Sequence, residues 1–276
     1  MDDQAEKGSR SPRPWTAVAL VALAVVAAVP IIVGAAIGPS NSSQPSATSA
    51  SLYKPLASPA TATTTATPAR PKENLPPGSG ALVAAVLHQT PMRDAPGGKV
   101  LAQIGTRTQF GSPEILLVVK HSPRWLGVVT PDAGNGRVGW IPRAAASLSR
   151  VNWELKVSLA THTVSVLQAG KVLHRYDVAI GRASAPTPTG RFAVTDRLTT
   201  GDPSGPYGCC ILALSAKAPH AIQGWNGGDR IAIHSTPDTG SIGLPVSHGC
   251  LRLTLAEGRW LIDHIPLGTP TIISSA

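Results

Sequence analysis

The chain has 276 residues, a net charge of +9 and a pI of about 9.9. Hydrophobic residues make up 42% of it and aromatic residues only 4%, while 27 Gly and 26 Pro amount to about a fifth; this is a composition of turns, linkers and β-structure, not of long helices. The Lys and Arg residues are scattered, with no basic stripe interleaved with aromatics, which argues against a nucleic-acid partner and favours an anionic membrane surface or wall polymer.

In chain order, residues 1–14 are polar and carry Lys7, Arg10 and Arg13 ahead of "WTAVALVALAVVAAVPIIVGAAI", Trp15 to Ile37. These 23 residues hold no charge. At 1.5 Å per residue they span roughly 35 Å, enough for a ~30 Å hydrocarbon core. A secretory signal would have a shorter apolar region, so a retained single-pass anchor is expected over 15–37. The flanking positive charges keep tail 1–14 cytoplasmic and place the rest outside. Residues 38–79 are rich in Ser, Thr, Ala and Pro and read as a disordered linker. About forty such residues reach roughly 35 Å r.m.s. as a coil.

From residue 80 to 149 the text becomes short β-type runs, "ALVAAVL", "EILLVVK", "RWLGVVT" and "GRVGWIP", separated by the turn signals "DAPGGK" and "PDAGNG". W-L-x-V followed by a Gly-rich hairpin and G-W-I-P resembles a bacterial SH3-like barrel. Trp125 and Trp140 are candidates either for a ligand groove or for the barrel core.

From residue 150 to 276 the strands are longer and alternate cleanly. "WELKVSLATHTVSVLQAGKVLHRYDVAIG" predicts a meander with a turn at Ala169-Gly170. "TPTGRFAVTD", "YGCCILALS" and "DRIAIHS" follow as strands. One helix is expected, with Thr254 as N-cap and Glu257 completing a capping box, an apolar face at Trp260, Leu261 and Ile265, and a stop at Pro266. "TPTIIS" forms a last strand. The fold class is therefore mainly β: an anchor helix, a linker, a small barrel, and a sandwich-like domain with one short helix.

Only three cysteines occur, Cys209, Cys210 and Cys250, too few for a disulfide framework. Cys209 and Cys210 read as small apolar fillers of a strand. Cys250 is different, because it lies in "SHGCLRL" and His234 ends the run "RIAIH" sixteen residues upstream. A histidine within reach can take the thiol proton and later return it to a leaving amine. The intervening glycines and prolines let the chain loop back and bring the two together. The backbone N–H groups of Gly249 and Cys250 are candidates for an oxyanion hole, and Ser235 for a third member that orients the histidine. A zinc site from His234, His248 and Cys250 with Cys209 or Cys210 is the weaker alternative, since His-x-Cys is unusual spacing and no C-x₂-C pair exists. His88, His121, His162, His174, His220 and His264 belong to no constellation. Trp225 in "QGWNGGD" is placed on a loop over the cleft.

"H-S-T-P…S-H-G-C-L-R-L", preceded by "A-P-T-P-T-G-R-F", resembles the L,D-transpeptidase (YkuD-like) catalytic domain over about residues 151–275. The resemblance implies that Cys250 is the nucleophile and His234 the base, with Ser235, Ser247, His248, Gly249 and Arg252 supporting the site. Ser235 stands where members of that family often have glycine. The resemblance also implies a thioester acyl-enzyme, peptidoglycan stem peptides as acyl donor and acceptor, 3→3 cross-links as product, and neither cofactor nor metal. A membrane anchor with the enzyme on the wall side suits that chemistry. A non-catalytic wall-binding scaffold and a zinc-dependent wall hydrolase are the alternatives.

Overall fold

Alternating burial in short strands builds most of the molecule. The computed structural model describes residues 54–55, 78–219 and 228–276. The expected cytoplasmic tail (1–14) and anchor (15–37), nearly all of the linker and the Trp225 loop lie outside the described residues. Among the described residues, no helix is long and apolar enough to cross a membrane.

The strands are β1 (Lys54–Pro55), β2 (Ala81–Val86), β3 (Thr90–Arg93), β4 (Val100–Ile104), β5 (Ile115–His121), β6 (Trp125–Val129), β7 (Gly139–Pro142), β8 (Ala146–Val151), β9 (Trp153–Ser158), β10 (Thr163–Gln168), β11 (Lys171–Asp177), β12 (Ile180–Gly181), β13 (Gly190–Thr199), β14 (Cys210–Lys217), β15 (Arg230–Ser235), β16 (Pro245–Ser247), β17 (Leu251–Leu253) and β18 (Pro270–Ser274). Among the described residues there is one α-helix, α1, spanning Leu255–His264.

Strands β2 to β8 form a seven-stranded antiparallel sheet in the order β4-β3-β7-β6-β5-β2-β8. Its core is Leu82, Val86, Met92, Ile104, Leu116, Leu126, Val128 and Ile141, among others. Trp125 and Trp140 are outside that core. They alternate with the buried Leu126 and Ile141, so period-two geometry puts them on the outer face, half-exposed. Only Asn152 separates β8 from β9, so no linker intervenes between this sheet and the strands of the C-terminal half.

Of the remaining strands, β12 and β16 form a separate two-stranded sheet, and eight run β11-β10-β9-β18-β13-β14-β15-β17, with β1 pairing β13 beside this path. The ten-residue β13 belongs to both halves of this sheet. Gly190–Ala193 pair with β18, and Val194–Thr199 pair with β14 across a register shift. A bulge of this kind bends a strand and lets one sheet turn over a common core. Leu155, Val157, Val164 and Val166 from one half meet Leu212, Leu214, Ile231, Ile233 and Leu251 from the other, with Leu261 and Ile262 of α1.

Local signals behave as their chemistry dictates. Ala169 and Gly170 take positive φ, the requirement of a tight two-residue hairpin between β10 and β11. Thr254 caps α1 by accepting from the Glu257 N–H, and the Glu257 carboxylate accepts from the Thr254 N–H. The reading of Cys209 and Cys210 as simple fillers needs correction. Both are buried, but they are joined to each other in a disulfide. Three cysteines are too few for a framework of bridges, but they allow a bond between neighbours whose Cα atoms are 3.8 Å apart.

Candidate active site

The candidate site lies on one face of the sheet half β13-β14-β15-β17. Leu198 on β13 pairs with Ile211 on β14, and Ile211 with His234 on β15. His234 in turn pairs with Arg252 on the parallel strand β17. Partners directly across a sheet share a face, and residues two apart on a strand do also. Arg230, Ala232 and His234 therefore line one side of β15. Cys250 enters β17 beside them: it packs with Leu198, Ile211 and Ala232, and its thiol makes a backbone hydrogen bond with Ala232. His234 and Cys250, sixteen residues apart in sequence, thus occupy the same face of adjacent strands.

His234 is fully inside the protein. Its Nδ1 lies 2.8 Å from the Ser235 carbonyl. A carbonyl only accepts, so Nδ1 carries the proton and Nε2 keeps its lone pair. Burial, with the Arg252 cation adding to it, lowers the imidazole to about 4, against the opposing pull of the Ser235 hydrogen bond. At neutral pH the ring is an uncharged base. Burial pushes the Cys250 thiol up, opposed by the Ala232 backbone hydrogen bond and by Arg252. Both shifts favour the uncharged form, so at rest the thiol and the imidazole are both neutral. The ring of Tyr207 meets that of His234 edge-on, with centroids 4.9 Å apart.

Ser235 acts through its main chain. Its hydroxyl sits on the far side of the strand, where it accepts from the Cys210 N–H at 3.1 Å. Its Cβ lies in a slot against α1, and a Cβ at Gly258 would come within 2.7 Å of it.

The loop bearing Cys250 is held from two sides. The parallel pairing of β12 with β16 brings residues 180–182 alongside 244–247. Ser247 donates to the Cys250 carbonyl at 2.6 Å and accepts from the Gly249 N–H at 3.1 Å. The Gly249 N–H, one of the two expected oxyanion donors, is thereby engaged within the loop. Gly249 has φ +109°, and a Cβ there would approach Ile231 Cδ1 to 2.8 Å. Buried Thr187 accepts from the Gly181 N–H and donates to the Gly249 carbonyl, each at 2.9 Å. Arg252 places its charge near His234, Cys250 and His248. His248, half-exposed, has its imidazole lowered by burial and by Arg182 and Arg252.

Among the described residues no three His, Cys, Asp or Glu side chains cluster so as to hold a metal ion. A cavity of about 540 Å³ lies between the two sheets and is lined by none of these residues. Sequence reasoning missed Thr187, Tyr207 and Phe110. Thr187 lies within "APTPTGRF" and Tyr207 within "YGCC". Phe110, one of two Phe in the chain, sits in the polar loop "TRTQFGSP", packs on the cluster that holds Cys250, and gave no signal.

The sequence profile of the YkuD family, described as the L,D-transpeptidase catalytic domain, matches residues 152–273. The Bacillus subtilis protein YkuD, which carries the name L,D-transpeptidase, is 29% identical over 124 residues, or 45% of this chain and 67% of that protein. Bacillus subtilis YqjB, of the same name, is 30% identical over 128 residues, or 43% of this chain and 69% of that protein. Among solved structures, an L,D-transpeptidase from Mycobacterium smegmatis aligns with TM-score 0.36 at 22% identity, covering 58% of this chain and 82% of that one. The match to YqjB across more than two thirds of its length, together with the profile over 152–273, places the chain in the L,D-transpeptidase family.

Proposed function

We propose that this chain is a peptidoglycan L,D-transpeptidase that forms 3→3 cross-links through a thioester on Cys250. The observation that carries the reading is the placement of a buried thiol, and of an imidazole whose Nδ1–H is tied to the Ser235 carbonyl, on one face of adjacent strands. Nε2 of His234 takes the thiol proton as the sulfur attacks the carbonyl carbon of the bond between stem residue three and D-alanine. The Cys250 N–H steadies the oxyanion, with Arg252 as the nearby positive charge. The C–N bond breaks, the imidazolium returns its proton to the departing amine of D-alanine, and a thioester remains. An amine from a second stem attacks the thioester, loses a proton to His234 and restores the thiol.

The seven-stranded sheet is an SH3-like module in this reading. Residues 15–37 anchor the chain in the membrane with the enzyme on the wall side, and the linker gives it reach into the wall. The reading is tested by exposing the full chain, in detergent, to a carbapenem. One covalent adduct is expected by intact mass, unaffected by a chelator and lost in Cys250→Ala. An adduct lost with chelator supports a zinc hydrolase instead, and no adduct at all supports a scaffold.

A further inference from the structure

We propose that the loop between β4 and β5 is part of the active site, and that Phe110 is a specificity-determining residue that contacts an aliphatic stretch of the acyl-donor stem. This deepens the transpeptidase reading and rests on it. Phe110 lies in a loop between two strands of the seven-stranded sheet, yet it packs against the cluster of Leu198, Ile211, Ala232 and Cys250 and is only half-buried. Its ring stands over the line of residues on β15. The Arg230 guanidinium carbon is 5.8 Å from the ring centroid, Ala232 is next along the strand, and His234 comes after it with Tyr207 against it. Cys250 lies level with Ala232, in the middle of this line. The row Arg230, Ala232 and His234 on β15 therefore has an aromatic ring at each end, and one of the two rings comes from outside residues 152–273.

The loop is built to hold that ring. The Thr108 hydroxyl donates to buried Asp196 on β13 and accepts from the N–H groups of Phe110 and Ser112, both at 3.2 Å. Thr108 N–H donates to the Ser112 carbonyl at 2.9 Å, and Gly111 N–H to the Thr108 carbonyl at 3.0 Å. Arg230, its side chain only 7% exposed, is bonded to the Leu214 carbonyl and to Thr195 Oγ1. Its charge is committed to the protein, so the Phe110 end of this row offers a substrate apolar surface. Aliphatic chain against an aromatic face is the contact such a surface favours.

The test uses the full chain in detergent with Phe110→Ala, Phe110→Leu and Phe110→Tyr. Three quantities are read: KM and kcat for a tetrapeptide donor, the acylation rate by a carbapenem, which carries no stem, and the melting temperature. Phe110→Ala should raise KM about tenfold, the size of one lost apolar contact, with kcat within about threefold. Carbapenem acylation should stay within about threefold, and Phe110→Leu should fall between. If Phe110→Ala does not fold, Phe110→Leu and Phe110→Tyr carry the same readout. An unchanged KM in folded variants overturns the proposal. So does a parallel loss of melting temperature, carbapenem acylation and kcat without a rise in KM, which marks a packing residue. A wild-type chain that forms no Cys250-dependent adduct defeats the transpeptidase reading instead, before Phe110 enters.

Discussion

His234 is 3% exposed, and a charge at that depth is unfavourable unless something pairs with it. The charge that acts on it is the like-signed Arg252. Its folded value of about 4 lies below its ordinary 6.5, so its contribution to stability is present above pH 6.5 and is lost as pH falls towards 4. That loss amounts to about 3 kcal/mol. The same neutrality bears on Cys250. A thiolate–imidazolium pair would hold the sulfur reactive down to acidic pH, whereas a neutral pair leaves it a buried thiol with a raised pKa. Alkylation of Cys250 by iodoacetamide, followed by mass spectrometry, should rise about tenfold per pH unit between 7 and 9. A flat rate between pH 5 and 8 contradicts the neutral pair. The residue types of this site were legible because cysteine and histidine announce their chemistry. The role of Ser235 was not, since whether a residue orients a neighbour by hydroxyl or by carbonyl depends on which side of the strand it faces.

At the scale of elements, the loop that carries Cys250 is held by a contact 62 residues long in sequence, from Thr187 to Gly249. The capping box of α1 and the hairpin at Ala169-Gly170 were readable because each is settled within four residues of chain. Thr187 was not, because its hydroxyl acquires meaning only when the parallel pairing of β12 and β16 brings the two loops together. Thr187→Val keeps the shape and removes the hydroxyl, leaving the Gly181 N–H and the Gly249 carbonyl buried without their partner. The expected loss is about 1–3 kcal/mol of stability, read by chemical denaturation. Carbapenem acylation should slow by more than tenfold, because a nucleophile displaced by a fraction of an ångström loses its alignment. Thr187→Ser restores the hydroxyl and should recover most of both. Equal acylation rates for the wild type and Thr187→Val count against this bracing.

At the scale of the molecule, the two sheets meet through polar groups that no pattern of apolar residues could reveal. Asn135 donates its side-chain amide to the Lys217 carbonyl at 2.7 Å and accepts from the Lys217 N–H at 2.9 Å. Close by, Glu114 and Asp132 of the seven-stranded sheet face Asp196 and Arg230 of the catalytic domain. The composition of each segment told of strands and a core, but not that Phe110 from one sheet's loop would pack against the cluster that holds Cys250, because that depends on side chains that meet only after both have folded. The interface has a consequence in pH. Burial first, then repulsion from Asp196 and Asp132, raises the Glu114 carboxyl from 4.5 to about 7, with Arg230 opposing. A folded value above the unfolded one means that the native state holds the extra proton. The contribution is full below pH 4.5 and is lost as pH rises through 7, up to about 3 kcal/mol. His234 acts in the opposite direction between pH 6.5 and 4, so the total stability curve alone does not isolate Glu114. The difference between Glu114→Gln and wild type does. Glu114→Gln should match the wild-type melting temperature near pH 5 and exceed it by several degrees at pH 8. A gap that stays constant from pH 5 to 8 means that Glu114 is not the group that titrates between the sheets.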